Sequence, residues 1–205
     1  MAASIIAHAN TSELKKSRQR GFSLLEVLIS MTILTVGMVS LLGVFGLAMA
    51  STQTSQQNMI AKQLANEAYD SVVTARNTAQ TTWDQINNVN SPNCSPGVSS
   101  CGIFLSGLQP MYFAGADGIF GTVDDAAAGE AYLTDPGPDG IYGTSDDVQI
   151  PLLGYQRQIA ISPLYDSQNN VIQSLRSVTI TVQYSTTQGR LPQTYIVNSF
   201  ISQYQ

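Results

Sequence analysis

Histidine and basic side chains are scarce in this chain. One histidine, His8, and nine Lys and Arg stand among 205 residues, against fourteen Asp and Glu. A net charge of −5 with no basic stripe has the wrong sign for a phosphate backbone, so nucleic-acid binding is not expected. No glycine-rich loop leads into a Lys-Ser or Lys-Thr pair, which removes P-loop chemistry. The few basic residues are also unevenly placed. Lys15, Lys16, Arg18 and Arg20 end just before Gly21, and the next is Lys62.

What fills that gap is a long apolar run, from Phe22 to about Ala50. As a helix rising about 1.5 Å per residue it can cross a bilayer core of roughly 30 Å. Lys and Arg beside a spanning helix are retained in the cytoplasm, which puts the C-terminal part on the far side. One residue in the run is out of character. Glu26 lies about one turn in, and an unpartnered charge in hydrocarbon costs at least ~2.5 kcal/mol on insertion scales. A partner or a protonated state is implied.

In Gly21-Phe22-Ser23-Leu24-Leu25-Glu26-Val27-Leu28-Ile29-Ser30 and the apolar residues after it, the chain resembles the type IV pilins and the pseudopilins of type II secretion. A short basic leader, a small residue before the cut and a glutamate four residues after the new N-terminus carry the resemblance. The wording GFSLLEVLISMTILTVGMVSLLG is most similar to PilV-type minor pilins. The resemblance implies a leader over residues 1–21, removed between Gly21 and Phe22 by a prepilin peptidase that methylates the new amine. It implies a transmembrane and assembly helix over 22–50 and a periplasmic domain over 51–205. It also implies that Glu26 meets the N-terminal amine of a neighbouring subunit, the partner that desolvation demands. The partners implied are the peptidase, other pilin or pseudopilin subunits and an inner-membrane assembly platform.

Loss of the leader would remove His8, four basic residues and Glu13, leaving five basic against thirteen acidic groups, a net of about −8. A mature chain without histidine cannot build Ser-His-Asp or Cys-His catalysis, and no enzymatic role is expected. An ordinary secretory signal ending at Ala48-Met49-Ala50 is the competing interpretation of the N-terminus, but it leaves Glu26 unexplained. Within the apolar half, Gly37, Gly43 and Gly46 each cost roughly 1 kcal/mol against Ala. They fit close helix packing, local bending, or the ordinary glycine content of membrane helices.

After Ala50 the pattern becomes amphipathic. Ile60, Leu64, Ala68 and Val72 recur at spacing four, with Ala61, Ala65 and Ala75 beside them, which predicts one helix of about 55 residues weakening near Arg76. Trp83 and Met111-Tyr112-Phe113 are expected to cover that stripe. Alternating segments at 155–162, 177–184 and 194–201 predict an antiparallel meander, with Val178, Ile180, Val182 and Tyr184 on its helix-facing side. The fold class is therefore α+β: a pilin-like long helix laid on a C-terminal antiparallel sheet.

Two further features need an account. Cys94 and Cys101 lie in SPNCSPGVSSCG, and two thiols fall short of the usual four zinc ligands. In an oxidising compartment they can close a small disulfide loop; the alternative is two free thiols. The second feature is a repeat: residues 115–125, GADGIFGTVDD, recur at 137–147 as GPDGIYGTSDD. Eight acidic and no basic side chains lie between Gly115 and Asp147. Asp117, Asp124 and Asp125 in one copy, and Asp139, Asp146 and Asp147 in the other, could ligate structural calcium through carboxylates and backbone carbonyls. The D-x-D-x-D-G spacing of an EF-hand is missing. The competing account is two solvated Asp-Gly turns. Ile119-Phe120 and Ile141-Tyr142 are expected to pin each loop to the body.

The function expected from these features is that of a minor pilin-like subunit held in the inner membrane and then assembled into a filament. A minor pseudopilin of type II secretion is an alternative, as is an unprocessed, membrane-anchored calcium-dependent adhesin or binding module.

Overall fold

The computed structural model describes residues 21, 23–91, 101–185 and 191–204. They form two compact units that divide between Ala48 and Met49. The first is helical. Helix α1 runs over Leu24–Asn77, and an 18-residue window near its start reaches a mean hydropathy of 2.3. Its length agrees with the expected single helix, since no proline interrupts the pattern before Asn77.

The second unit has its core between the later turns of α1 and an antiparallel sheet. Ala61, Leu64, Ala65, Ala68, Val72 and Ala75 are the buried residues of α1, all within the stripe that the spacing predicts; Ile60, expected with them, is half-buried. Small residues dominate it, so the sheet can approach closely. The sheet has order β1-β4-β5-β6, with β1 Gln109–Pro110, β4 Tyr155–Tyr165, β5 Val171–Tyr184 and β6 Gln193–Ser202. All its pairings are antiparallel, with Ile180 opposite Ile159 on one side and Val197 on the other. Val178, Ile180 and Val182 are fully buried and Tyr184 is nearly so, on the face that packs on α1. Each such aliphatic burial is worth about 1.5–3 kcal/mol.

Polar contacts fix the helix on the sheet. Tyr69 and Ser199 hydroxyls lie 2.8 Å apart, Arg76 Nη1 donates to the Ser202 carbonyl at 2.8 Å, and the Tyr184 hydroxyl bonds Asn58 Oδ1. The aromatic expectation holds in part. Met111 is buried and Trp83 packs on the core, whereas Phe113 stands at the surface, edge-on to Tyr132 at 4.9 Å.

A short helix α2, Asp125–Ala128, and a second, two-stranded sheet of β2 Tyr132–Asp135 and β3 Val148–Pro151 lie between β1 and β4. The β2–β3 pair carries the second acidic copy at its tip.

Candidate functional site

Two regions hold the residues singled out by sequence. The first is the start of α1. The Ser23 carbonyl accepts the N–H groups of Glu26 and Val27 at 3.0 and 3.2 Å, which places Glu26 in the first turn. A carboxylate there is favoured by the unpaired N–H groups of the helix end. Glu26 is exposed, and among the described residues no cation lies within 4.0 Å of it. Phe22 lies outside the described residues. Every residue from Leu24 to Met49 is exposed, so the first unit leaves its apolar surface bare all round.

The polar residues of this half are satisfied by its own backbone. Ser30, Thr32, Thr35 and Ser40 donate to carbonyls three or four residues earlier, at 2.5 to 2.9 Å. Such bonds let hydroxyls sit in hydrocarbon without an outside partner. Glu26 has no equivalent, and it is the group in this half that calls for a partner from elsewhere.

The second region is the acidic repeat, whose two copies fold alike. Gly121 N donates to Asp125 Oδ2 at 2.6 Å, and Gly143 N to Asp147 Oδ2 at 2.7 Å. Ile119 N donates to Asp117 Oδ1 and Ile141 N to Asp139 Oδ1, both at 2.8 Å. The hydroxyls of Thr122 and Thr144 each lie 2.6 Å from Oδ1 of the aspartate two residues on. Gly121 and Gly143 have φ of 85° and 87°, a left-handed conformation that strains other residues. Gly137 has no room for a side chain, since an added Cβ would fall 2.7 Å from Asp146 Oδ2; Gly115 is closed in the same way by Asp124.

The electrostatics follow from these donors. The Thr122 hydroxyl bond, with backbone N–H groups, holds the Asp124 carboxyl below the usual range, and the Thr144 hydroxyl does so for Asp146. Burial pushes Asp125 the other way, opposed by the N–H groups of Gly121 and Gly115 and by the Arg157 charge. Carboxylate oxygens of Asp117, Asp124 and Asp125 lie within 4.8 Å of one another. Among the described residues no such grouping forms from Asp139, Asp146 and Asp147.

The copies differ outside the loop. Ile119 is 2% exposed, and the Arg157 guanidinium stands 4.3 Å over the Phe120 ring. Phe120 N donates to Ser71 Oγ at 3.4 Å, Leu105 N to the Gly121 carbonyl at 2.7 Å, and the Gln80 amide to the Asp117 carbonyl. Ile141 and Tyr142 are 61% and 69% exposed, so the expectation that they pin their loop to the body is corrected. The second loop sits on the β2–β3 arm, where no core surface among the described residues meets it.

Sequence reasoning missed two buried arginines. Arg157 is 5% exposed, and burial lowers its pKa to about 10 although Asp125 and Glu67 attract it. Arg176, equally buried, bonds the carbonyls of Trp83 and of Ile86, the latter at 2.6 Å, and stacks 4.3 Å from the Trp83 ring. An arginine inside an alternating strand segment was the available signal for Arg157; Arg176 falls just before the segment at 177–184 and enters β5 only because that strand begins earlier, at Val171. Cys101 is buried and is not a free thiol; Cys94 lies outside the described residues.

Comparison with known families finds the prokaryotic N-terminal methylation motif over residues 16–42. The match spans the basic flank, Gly21, Glu26 and the first turns of α1, and supports a type IV pilin-like subunit processed by prepilin peptidase and assembled with other pilin subunits. No curated protein matches the chain, and no solved structure does.

Proposed function

We propose that the chain is a minor pilin-like structural subunit of a bacterial type IV pilus, with no catalytic role. It is made as a prepilin, cut between Gly21 and Phe22, N-methylated, held in the inner membrane with its C-terminal unit in the periplasm, and assembled through α1. The observation that carries this reading is the coincidence of the methylation motif with Glu26 in the first turn of α1, whose apolar half is exposed from Leu24 to Met49. Assembly buries that helix, and a neighbour's amine beside Glu26 sets the axial register, because any other register leaves a carboxylate unpaired. In Glu26→Gln, incorporation into sheared filaments should fall while the membrane-bound pool stays normal; normal incorporation would sink the assignment.

The same motif fits a minor pseudopilin of a type II secretion system. Deleting the chain distinguishes the two, through loss of surface filaments in one case and of substrate export in the other.

Two structural features belong to the proposal. Structural calcium at Asp117, Asp124 and Asp125 is supported by the closeness of the three carboxylates, whose oxygens lie within 4.8 Å of one another. Chelation should then lower the thermal midpoint and open residues 115–125 to proteases. A Cys94–Cys101 bridge is supported by Cys101 not being a free thiol in a chain with two cysteines.

A further inference from the structure

The two copies of the acidic loop are an internal comparison. Local bonds are the same in both, from the Gly121–Asp125 and Gly143–Asp147 closures to the Thr122–Asp124 and Thr144–Asp146 contacts. What differs is the fate of the apolar pair each loop displays. In the first copy Ile119 is buried in the core and Phe120 lies beneath a guanidinium. In the second, Ile141 and Tyr142 project from the arm, and Val148 and Ile150 behind them are 56% and 47% exposed. The hydrogen bonds found for residues 137–147 stay within the arm. A loop shaped to present an Ile-aromatic pair to an apolar seat finds no seat among the described residues.

We propose that this second loop is an intersubunit contact. Ile141 and Tyr142 enter an apolar recess beneath a cationic side chain on a different subunit of the filament, as Ile119 and Phe120 do within this chain. The partner's charge follows from the arm. Asp135, Asp139, Asp146 and Asp147 stand there, and no Lys or Arg occurs from Ala131 to Gln156, so a basic rim is complementary. An exposed aromatic and aliphatic pair ringed by charge has the make-up of an interface centre with a polar rim. A second copy of this chain is the wrong partner, since its equivalent seat is already filled by its own Ile119 and Phe120. The naming of the partner as a filament subunit rests on the function proposed above; the chemistry of the contact does not.

The test is a photoreactive benzoylphenylalanine replacing Tyr142 in the full chain in its native host, with the same group replacing Tyr165, 55% exposed at the end of β4, as control. Expected is an adduct from position 142 with one other filament subunit, at a peptide holding apolar residues and an Arg or Lys. Its yield should fall about tenfold in Ile141→Ser and on raising salt from about 0.1 to 1 M, which shortens the screening length to about 3 Å. No adduct above the control, an adduct with lipid or with a second copy, or a yield unchanged by Ile141→Ser would overturn the contact. The N-terminal residue of the same sample separates the two claims. A chain processed to Phe22 with no adduct overturns the contact alone, and an unprocessed chain overturns the filament reading and with it the named partner.

Discussion

Asn88 Oδ1 accepts the backbone N–H of Ile161 at 2.7 Å, and the same side chain donates to the Ile159 carbonyl, also at 2.7 Å. A single amide thus continues the edge of β4 beyond Gln156 and Arg157, where the two residues of β1 stop. The side chain stands in for a strand. Removing it in Asn88→Ala leaves a donor and an acceptor of β4 unpaired, at a cost of about 1–3 kcal/mol. Denaturant unfolding of the full chain in detergent checks this, and a loss under ~0.5 kcal/mol, the range of ordinary surface substitutions, would contradict it.

One substitution made in both copies of the acidic loop should have unequal effects. Ile119→Ala empties a buried site and should cost about 2–5 kcal/mol. Ile141→Ala, at a position 61% exposed, should stay within about 0.5 kcal/mol. Equal costs measured by the same unfolding assay would mean that the second loop is seated on the body.

The Thr122–Asp124 bond predicts an acid-sensitive loop. Asp124 is held below its ordinary pKa, chiefly by the Thr122 hydroxyl, so its contribution to stability is complete above the unfolded value near ~3.9 and is lost as pH falls through the folded one. Asp125, raised by burial, has the opposite sign: its stabilising share is present below the unfolded value and disappears as pH rises through the folded one. Thr122→Val should move Asp124 back up toward the usual carboxylate range, as read by carboxyl-carbon NMR. An unmoved Asp124 would mean that backbone donors, not the hydroxyl, set its acidity.

Much of the fold was legible because its signals are local. The apolar run marked the first half of α1 and the spacing of four marked the Leu64, Ala68 and Val72 stripe of its second; alternation around Ile159, Ile180 and Val197 marked the three long strands. The strands nevertheless extend further than alternation predicts: β5 begins at Val171, across a register shift between Pro163 and Leu164. Strand β1 is two residues long, too short for any period to register. The seating of the repeats was illegible for another reason. Their sequences are nearly identical, and what seats the first loop but not the second comes from Ser71, Leu105 and Arg157, which meet Phe120 and Gly121 and are remote in the chain. Glu26 was readable as an anomaly within its own turn; Asn88 was not, because its partners are 71 and 73 residues away.

Processing at the start of α1 decides whether this chain is a filament subunit. The decisive measurement is the N-terminal residue and intact mass of the chain recovered from sheared-surface and envelope fractions of its native host. Expected is a chain beginning at Phe22 with a methylated amine. A chain beginning at Met1 in a processing-competent host, or one beginning near Ser51, would contradict it.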